Sequence, residues 1–219
     1  MTPEKLASLV KAFPARRVKN KDGSTSDFVM TMPVRLQWPA LDEPKSAQEG
    51  QEPKYSACLL IPNGADISAL NDIAAAAAKA KFGDDWAKKG IRKPFRSQNE
   101  KAQYDGFADS EAAKYVNAST KLPPALFGFG GPAEPLALDT PAIYAGCWVL
   151  AKINAYAYDQ KGNKGVSFGL AALMKVADDD KLRTGNFDAS NGFEAVPAHI
   201  LAQGGVEAGG DPAELPGWD

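Results

Sequence analysis

Cysteine, histidine and long apolar runs are all scarce in this sequence of 219 residues. Cys58 and Cys147 lie in apolar, strand-like segments, which favours buried free thiols. Together with the one histidine, His199, they cannot form a four-ligand zinc site without carboxylates. The longest apolar runs, such as Ala74 to Ala78, are far shorter than the roughly 20 residues of a membrane span. Because Met1 to Lys5 also lack the apolar core of a secretion signal, we expect a cytoplasmic protein without a membrane partner.

Signatures of catalysis are scarce as well. The run from Gly128 to Gly131 precedes a proline and lacks the Lys-Ser/Thr pair of a phosphate-binding loop. Asp178, Asp179 and Asp180 could bind a divalent ion, so a metal-dependent nuclease stays open, although a charged exit from a strand is the simpler interpretation. We predict that the protein is not an enzyme and uses no cofactor or metal.

Charge is distributed unevenly along the chain. Residues 1–176 contain 23 Lys and Arg against 18 Asp and Glu, whereas residues 177–219 contain 2 against 9. The formal net charge of −2 would by itself argue against nucleic-acid binding. A mildly basic body followed by an acidic end rich in Gly and Ala instead favours a basic binding surface and a flexible tail.

Hydrophobic periodicity predicts a mainly β protein. Alternating apolar residues predict a strand that starts at Phe28. Short apolar runs predict two further strands, at residues 54–61 and 114–121. Two stronger strands, starting at Ile143 and Val166, are joined by a polar loop rich in turn residues, which is typical of a hairpin.

One helix interrupts this series of strands. It begins near Asp66 or Ser68, either of which can accept hydrogen bonds from the first turn, and its alanine content gives it high helix propensity. Five antiparallel strands with one inserted α-helix suit a small closed barrel, which removes exposed sheet edges. We predict an N-terminal arm at residues 1–27, the barrel domain at residues 28–182 and a flexible acidic tail at residues 183–219.

The segment from residue 144 to 158 has two contrasting faces. Side chains alternate across a strand, so small apolar residues share one face and aromatic residues with Lys152 share the other. Rings interleaved with a cation suit unpaired bases, because every base offers a π-face and lysine neutralises phosphate. The alternative is that these rings pack beneath the helix or the irregular region, since Tyr and Trp are also ordinary core residues.

A long irregular region, residues 84–111, adds further cations and aromatic rings. Insertions of this length in compact domains are usually functional or disordered, although a solvated polar loop is the commoner fate of such a run. Together with the strand face and two strand cations, this region defines the candidate nucleic-acid-binding residues. They are Tyr144, Trp148, Lys152, Tyr156, Tyr158, Arg35, Lys54, Arg92, Lys93, Phe95, Arg96, Lys101, Tyr104 and Phe107.

Several ordered motifs resemble one family of bacteriophage single-stranded DNA-binding proteins. Residues 53–62, Pro-Lys-Tyr-Ser-Ala-Cys-Leu-Leu-Ile-Pro, are similar to its second strand. Residues 144–149, 156–158 and 164–170 are similar to its last hairpin. The resemblance spans roughly residues 28–182, and the family, formerly a domain of unknown function, is similar in architecture to the single-stranded DNA-binding protein of T7-like phages.

The resemblance implies an OB fold, single-stranded DNA binding during phage replication, recombination or repair, and a host-cytoplasmic location. It also implies an acidic tail that recruits replication proteins such as a polymerase, helicase or primase. The acidic charge here is sparse, and the candidate partner-binding residues are Asp211, Glu214, Trp218 and Asp219. We expect a monomer or homodimer that coats single-stranded DNA largely independently of sequence. The alternative is a protein-interaction or virion structural β-barrel that does not bind nucleic acid.

Overall fold

The computed structural model describes residues 1–46, 49–160 and 162–183. The partner-binding residues expected in the tail, Asp211, Glu214, Trp218 and Asp219, therefore lie outside the described residues. Within the described ranges, no helix combines the length and the apolar character needed to cross a membrane.

The same ranges contain two α-helices and ten β-strands, which form one sheet. The helices are α1 (Pro3–Ala12) and α2 (Ser68–Phe82). The strands are β1 (Arg16–Lys19), β2 (Thr25–Met30), β3 (Val34–Lys45), β4 (Lys54–Ile61), β5 (Arg96–Ser97), β6 (Lys114–Thr120), β7 (Ala125–Phe127), β8 (Pro135–Leu136), β9 (Trp148–Gln160) and β10 (Asn163–Ala177).

Five strands pair in a closed circuit within the described part of the chain. β3 pairs with β4, β4 with β6, β6 with β10, β10 with β9, and β9 with β3. The remaining strands extend this circuit: β1 and β2 lie beyond β9, β7 and β8 lie beyond β10, and β5 pairs with β6. The longest pairing is the β9–β10 hairpin, which therefore dominates the sheet.

The sheet corrects the expected uniform set of five antiparallel strands. It is larger, and the pairings of β10 with β6 and with β7 are parallel. Alternation locates strands but does not reveal their partners or direction, because parallel and antiparallel strands share a side-chain period of two. The sheet also includes β1 and β2, both of which begin within residues 1–27, the expected arm. The structure contains α1 in addition to the one helix that was predicted.

The core fills the inside of the circuit and continues under α2. Leu70, Ile73, Ala74 and Ala78 recur at helical spacing, and all four are buried against the strands. The inner side chains of the strands complete this core: Val29, Val34, Leu36, Leu59, Val116, Val149, Ala151, Ile153, Phe168 and Leu173. The predicted α2 is thus confirmed in position, and it packs against β9, β10 and β2.

A second, smaller apolar cluster lies on the outer side of β4 and β6. It contains Cys58, Leu60, Phe107, Tyr115, Ala145 and Leu182. The prediction of buried free thiols is confirmed, since Cys58 and Cys147 are both buried and unpaired. Burial raises the pKa of the Cys58 thiol to about 12 and also raises that of Cys147, so neither is a nucleophile at neutral pH.

Candidate nucleic-acid interface

The distal half of the β9–β10 hairpin has an outer face that no other element covers completely. We call it the open face and define it as Asn154, Tyr156 and Tyr158 of β9 with Gly165, Ser167 and Gly169 of β10. Tyr158 lies opposite Gly165, Tyr156 opposite Ser167, and Asn154 opposite Gly169. Tyr156 is 37% exposed, whereas Ile153, on the inner face of the same strand, is fully buried.

Two glycines form the floor of the open face. A Cβ atom at Gly165 would lie 2.6 Å from the Tyr158 hydroxyl oxygen and 2.9 Å from the Arg92 Cβ. A Cβ atom at Gly169 would lie 2.2 Å from Asn154 Oδ1. The side chains of Tyr158 and Asn154 therefore lie across β10 in space that any other residue would occupy. The result is a shallow surface on which a tyrosine ring is accessible from one side.

Arg92 brings a cation to this surface through backbone pairing. Its N–H donates to the carbonyl oxygen of Lys164 at 2.9 Å, and its carbonyl accepts from the N–H of Val166 at 3.0 Å. Arg92 thereby forms a parallel bridge with Gly165, and its Cβ lies on the same side of the sheet as the Tyr158 ring. Lys89, Arg92 and Lys164 line one depression of about 330 Å³ beside the hairpin turn.

The open face continues across β6 and β4. Ser119 pairs with both Gly169 and Ser56, so hydroxyl groups extend the surface toward Lys54. A cleft of about 820 Å³ lies where the β3–β4 and β9–β10 connections approach each other. Its lining is Lys45, Gly50, Gln51, Glu52, Lys54, Ser56, Ser119, Gln160 and Asn163. The structure thus brings predicted Lys54 to the same side of the sheet as Tyr156 and Tyr158.

On its other edge the open face meets β2. Phe28 pairs with Asn154, and Met30 pairs with Lys152. The Lys152 Nζ lies 4.9 Å from the centroid of the Phe28 ring, a cation–π contact that holds the ammonium at the edge of the face. Lys152, Tyr156, Tyr158, Arg92 and Lys54 are therefore the predicted residues that the structure groups together.

The proximal half of the hairpin is covered, which corrects the expectation for Trp148 and Tyr144. Trp148 is 6% exposed, and its Nε1–H donates to Asp179 Oδ2 at 2.8 Å. The Tyr144 hydroxyl donates to Asp178 Oδ1 at 2.7 Å. These rings share the parity of Tyr156, but the segment that follows β10 returns over them. Trp148 is therefore buried and cannot stack on a base, and the hydroxyl of the half-buried Tyr144 is bonded within the fold.

Arg35 also belongs to this covered half. Its Nε–H donates to the carbonyl oxygen of Gly146 at 3.2 Å, and its Nη2 donates to that of Asp180 at 3.1 Å. The same Nη2 lies 3.8 Å from Asp179 Oδ2. The guanidinium holds the segment after β10 against the sheet. Arg35, predicted as a nucleic-acid-binding residue, therefore does not lie on the open face.

The pKa of Asp179 is lowered because several donors bond to its carboxylate. Its burial opposes ionisation, but hydrogen bonds from the Met1 amino group and from Trp148 Nε1–H outweigh that effect. With the N–H of Asp180 and the charge of Arg35, they lower the pKa to about 2. Asp179 is therefore a structural carboxylate at the end of β10.

The nuclease alternative depended on the three consecutive aspartates. Lys175 Nζ lies 2.5 Å from Asp178 Oδ1, and this contact is the main reason that the pKa of Asp178 is lowered. Asp179 accepts from the donors named above. Among the residues that the structure describes, no group of three His, Cys, Asp or Glu side chains is placed to hold a metal ion. The carboxylates of Asp178 and Asp179 thus pair with cations and donors of their own chain.

Two predicted aromatic residues are also part of the fold. The Phe95 ring packs edge-on against Phe168, with 5.6 Å between centroids, and belongs to the margin of the main core. Phe107 is 8% exposed and packs edge-on against Tyr115 at 5.4 Å. Both were expected to contact nucleic acid. Phe107 is instead buried, whereas Phe95 docks its segment onto the sheet and stays partly exposed.

Two of the four remaining predicted residues, Lys101 and Tyr104, lie against Trp38, a tryptophan that the prediction did not include. Lys101 Nζ lies 4.3 Å from the Trp38 ring centroid, and the Tyr104 ring meets that indole edge-on at 5.2 Å. Arg96 is exposed but forms an ion pair with Glu100. Trp38 has a φ of +45°, which is rare for a bulky residue. Lys93, the last predicted residue, is exposed beside Arg92.

The glycine floor was also missed, although the sequence carries a signal for it. Residues 165–169 read Gly-Val-Ser-Phe-Gly, so one parity has only small residues while the other has large apolar ones. In a strand whose large side chains point inward, such a pattern indicates an outer face kept free for something else to approach closely.

Tyrosine rings, hydroxyl and amide groups, and cations at both edges of a sheet face are features of proteins that hold an extended, unpaired nucleic-acid strand. Solved structures share the fold. The single-stranded DNA-binding protein of bacteriophage Enc34 in complex with ssDNA superimposes with a TM-score of 0.56 at 24% identity, over 77% of this chain and 97% of that one. The T7 single-stranded DNA-binding protein gp2.5 gives 0.50 at 14% identity, over 78% and 99%.

Sequence comparison identifies the family. The model of the family described as Enterobacter phage Enc34, ssDNA-binding protein, matches residues 27–201. The chain belongs to this family of phage single-stranded DNA-binding proteins. Protein p50 of Acyrthosiphon pisum secondary endosymbiont phage 1 is 30% identical over 172 residues, which cover 74% of this chain and 89% of that relative.

Proposed function

We propose that this protein binds and coats single-stranded DNA, largely independently of sequence, during phage DNA replication, recombination or repair. The observation that carries the proposal is the open face, where Tyr156 is exposed opposite Ser167 and Tyr158 lies over Gly165 beside Arg92. A tyrosine ring can stack on any base, and the flanking cations can neutralise phosphates whatever the sequence. Family membership supports the same function.

The closed circuit of β3, β4, β6, β10 and β9 supports the finer assignment of an OB-type barrel at residues 28–182. In such barrels, oligonucleotides bind on the face of the second and third strands, between the loop that joins the first two strands and the loop that joins the last two. Here that position corresponds to the cleft lined by Lys54, Ser56 and Ser119. DNA would cross from this cleft over Tyr156 and Tyr158 toward Arg92.

Two further parts of the proposal concern partners and location. The acidic residues 183–219 would recruit replication proteins such as a polymerase, helicase or primase, because their charge opposes that of the body. The protein would act in the host cytoplasm as a monomer or homodimer.

Fluorescence anisotropy with matched single- and double-stranded oligonucleotides tests the main proposal. We expect preference for the single strand and a log affinity that falls with log salt by about 0.7 for each phosphate neutralised. Tyr156→Ala and Tyr158→Ala should each weaken binding by about 1–3 kcal/mol. Phe129→Ala is the matched control, because Phe129 is 61% exposed but lies outside the open face. Equal losses for all three variants, or no preference for the single strand, would refute the proposal.

A further inference from the structure

A cavity of about 300 Å³ lies between α2 and the segment that carries Arg92, on the side of that segment away from Tyr158. Ala74 and Ala75 of α2 form one wall, and Trp86 and Phe95 contribute aromatic surface. Arg92 and Lys93 are also lining residues, and no lining residue is acidic. The cavity is thus apolar inside and positively charged where Arg92 and Lys93 reach it.

The cavity is rigidly connected to the open face. Segment 91–95 is fixed to β10 by the two backbone hydrogen bonds of Arg92. The Phe95 ring is seated on Phe168 at 5.6 Å. Arg92 borders the cavity, the basic depression at the hairpin turn and the space beside Tyr158. A single guanidinium therefore lies at the boundary between the proposed DNA path and the cavity.

From this geometry we propose that the cavity is a subsite for one nucleobase at the Arg92 end of the DNA path. The base would insert between the alanine wall and the aromatic residues, and its phosphate would bind Arg92 and Lys93. The occupant follows from the chemistry: a flat, largely apolar group joined to an anion matches an apolar slot with cations at its border. The cavity lies at the lower end of the size range of small-molecule sites, which suits one base.

The subsite rests on the proposed function and adds to it. A base seated in the cavity would be turned away from the bases that stack on Tyr156 and Tyr158, so the strand would bend at Arg92. A fixed end point for the path would set the register of each protein molecule on the DNA. Coating would then proceed in steps of constant length, even though the sequence of bases is not recognised.

Filling the cavity tests this proposal. Ala75 is half-buried and lines the cavity, whereas Ala76, the next residue of α2, is exposed to solvent. Ala75→Leu should fill the slot, and Ala76→Leu is the matched control with the same added volume and helix propensity. Asn71→Phe, at an exposed lining position, should block the cavity without altering the core. Circular dichroism and thermal unfolding establish that each variant is folded.

Affinity is measured for an oligothymidylate and for an oligonucleotide of equal length whose internal positions are abasic. Ala75→Leu and Asn71→Phe should each weaken binding of the oligothymidylate at least about fivefold, the equivalent of one lost stacking contact. Binding of the abasic strand should not change, because phosphate contacts remain, and Ala76→Leu should match the parent on both strands.

The outcomes separate this proposal from the proposed function. Unchanged oligothymidylate binding in both cavity variants would overturn the subsite while leaving single-stranded DNA binding intact. Equal loss on the abasic strand would also overturn it, since the cavity would then act through phosphates or through the fold. Failure of the parent protein to bind either strand would instead refute the proposed function itself.

Discussion

The proximal and distal halves of the β9–β10 hairpin carry similar residues with the same alternation but differ in what lies over them. In the proximal half, Trp148 and Tyr144 donate to Asp179 and Asp178, and Arg35 holds the same segment. In the distal half, Tyr158 lies over Gly165 and Tyr156 lies opposite Ser167, and neither hydroxyl bonds to a described segment beyond β10. One strand therefore serves the fold at one end and carries the proposed binding surface at the other.

The comparison shows that alternation assigns a side chain to a face but does not reveal whether that face is covered. The cover of the proximal half comes from residues 178–183, which follow β10 and turn back across β9. Gly146 permits this approach, because a Cβ atom there would lie 2.1 Å from the carbonyl oxygen of Asp180. Its φ of +110° is also in the region that favours glycine.

The largest expected effect separates the halves by stability. Trp148→Ala should lower the free energy of unfolding by about 3–5 kcal/mol, because it leaves a cavity and removes a donor from Asp179. Tyr156→Ala, at the exposed end of the strand, should change it by less than about 0.5 kcal/mol. Urea denaturation monitored by circular dichroism measures both. A Trp148→Ala protein that is as stable as the parent but does not bind DNA would show that Trp148 serves binding and not the fold.

Much of the fold was predictable because its strands and α2 have strong local patterns. The polar loop predicted at residues 160–165 and the strands on either side of it can be located from polar and apolar runs alone. The parallel pairings of β10 were not, since they depend on where β6 and β7 lie in space rather than on local composition. β1 was also missed, because a four-residue basic strand such as Arg16–Lys19 lacks the apolar alternation that identifies a strand.

The candidate site was predictable only in part, for a related reason. Tyr156, Tyr158 and Lys152 project from one uninterrupted strand, so their common face follows from alternation. Arg92 reaches that face only through a backbone bridge to Gly165, a long-range pairing without a local signature. Phe107 lies in the same irregular region as Arg92 yet is buried, and no short-range pattern distinguishes the two positions.

The second prediction uses pH to isolate the covered half. Asp179 has a pKa of about 2 in the folded protein against an ordinary value of 3.8. Its ionised form thus stabilises the fold by about 2 kcal/mol above pH 4, and this contribution is lost as pH falls toward 2. Asp179→Asn should lose that stability at neutral pH and show a flatter decline between pH 4 and 2. If the free energy of unfolding depends on pH equally in the parent and the variant, the Asp179 carboxylate does not stabilise the fold.

The third prediction tests the glycine floor of the distal half. In Gly165→Ala the new methyl group would displace Tyr158 and press on Arg92. We therefore expect a loss of about 1 kcal/mol in single-stranded DNA binding, a fraction of what stacked rings contribute. Ser167→Ala, between the two glycines, displaces no ring and serves as the control. Isothermal titration calorimetry would detect the difference, and equal affinities for the two variants would mean that the floor does not position Tyr158.

The smallest expected effect concerns one cation from each half of the hairpin, Lys152 and Arg35. Lys152 lies at the edge of the open face, with its ammonium over the Phe28 ring. Lys152→Gln should lower affinity by less than about 1 kcal/mol, the range of a single exposed charge contact. It should also reduce the salt slope by about 0.7, because one fewer counterion is released.

Arg35 is bonded to the carbonyl oxygens of Gly146 and Asp180, so Arg35→Gln should weaken the fold but leave the slope unchanged wherever circular dichroism shows the variant to be folded. Affinity titrations over a range of salt concentrations measure both slopes. A reduced slope for Arg35→Gln and none for Lys152→Gln would place the DNA on the proximal half and contradict the assignment of the open face.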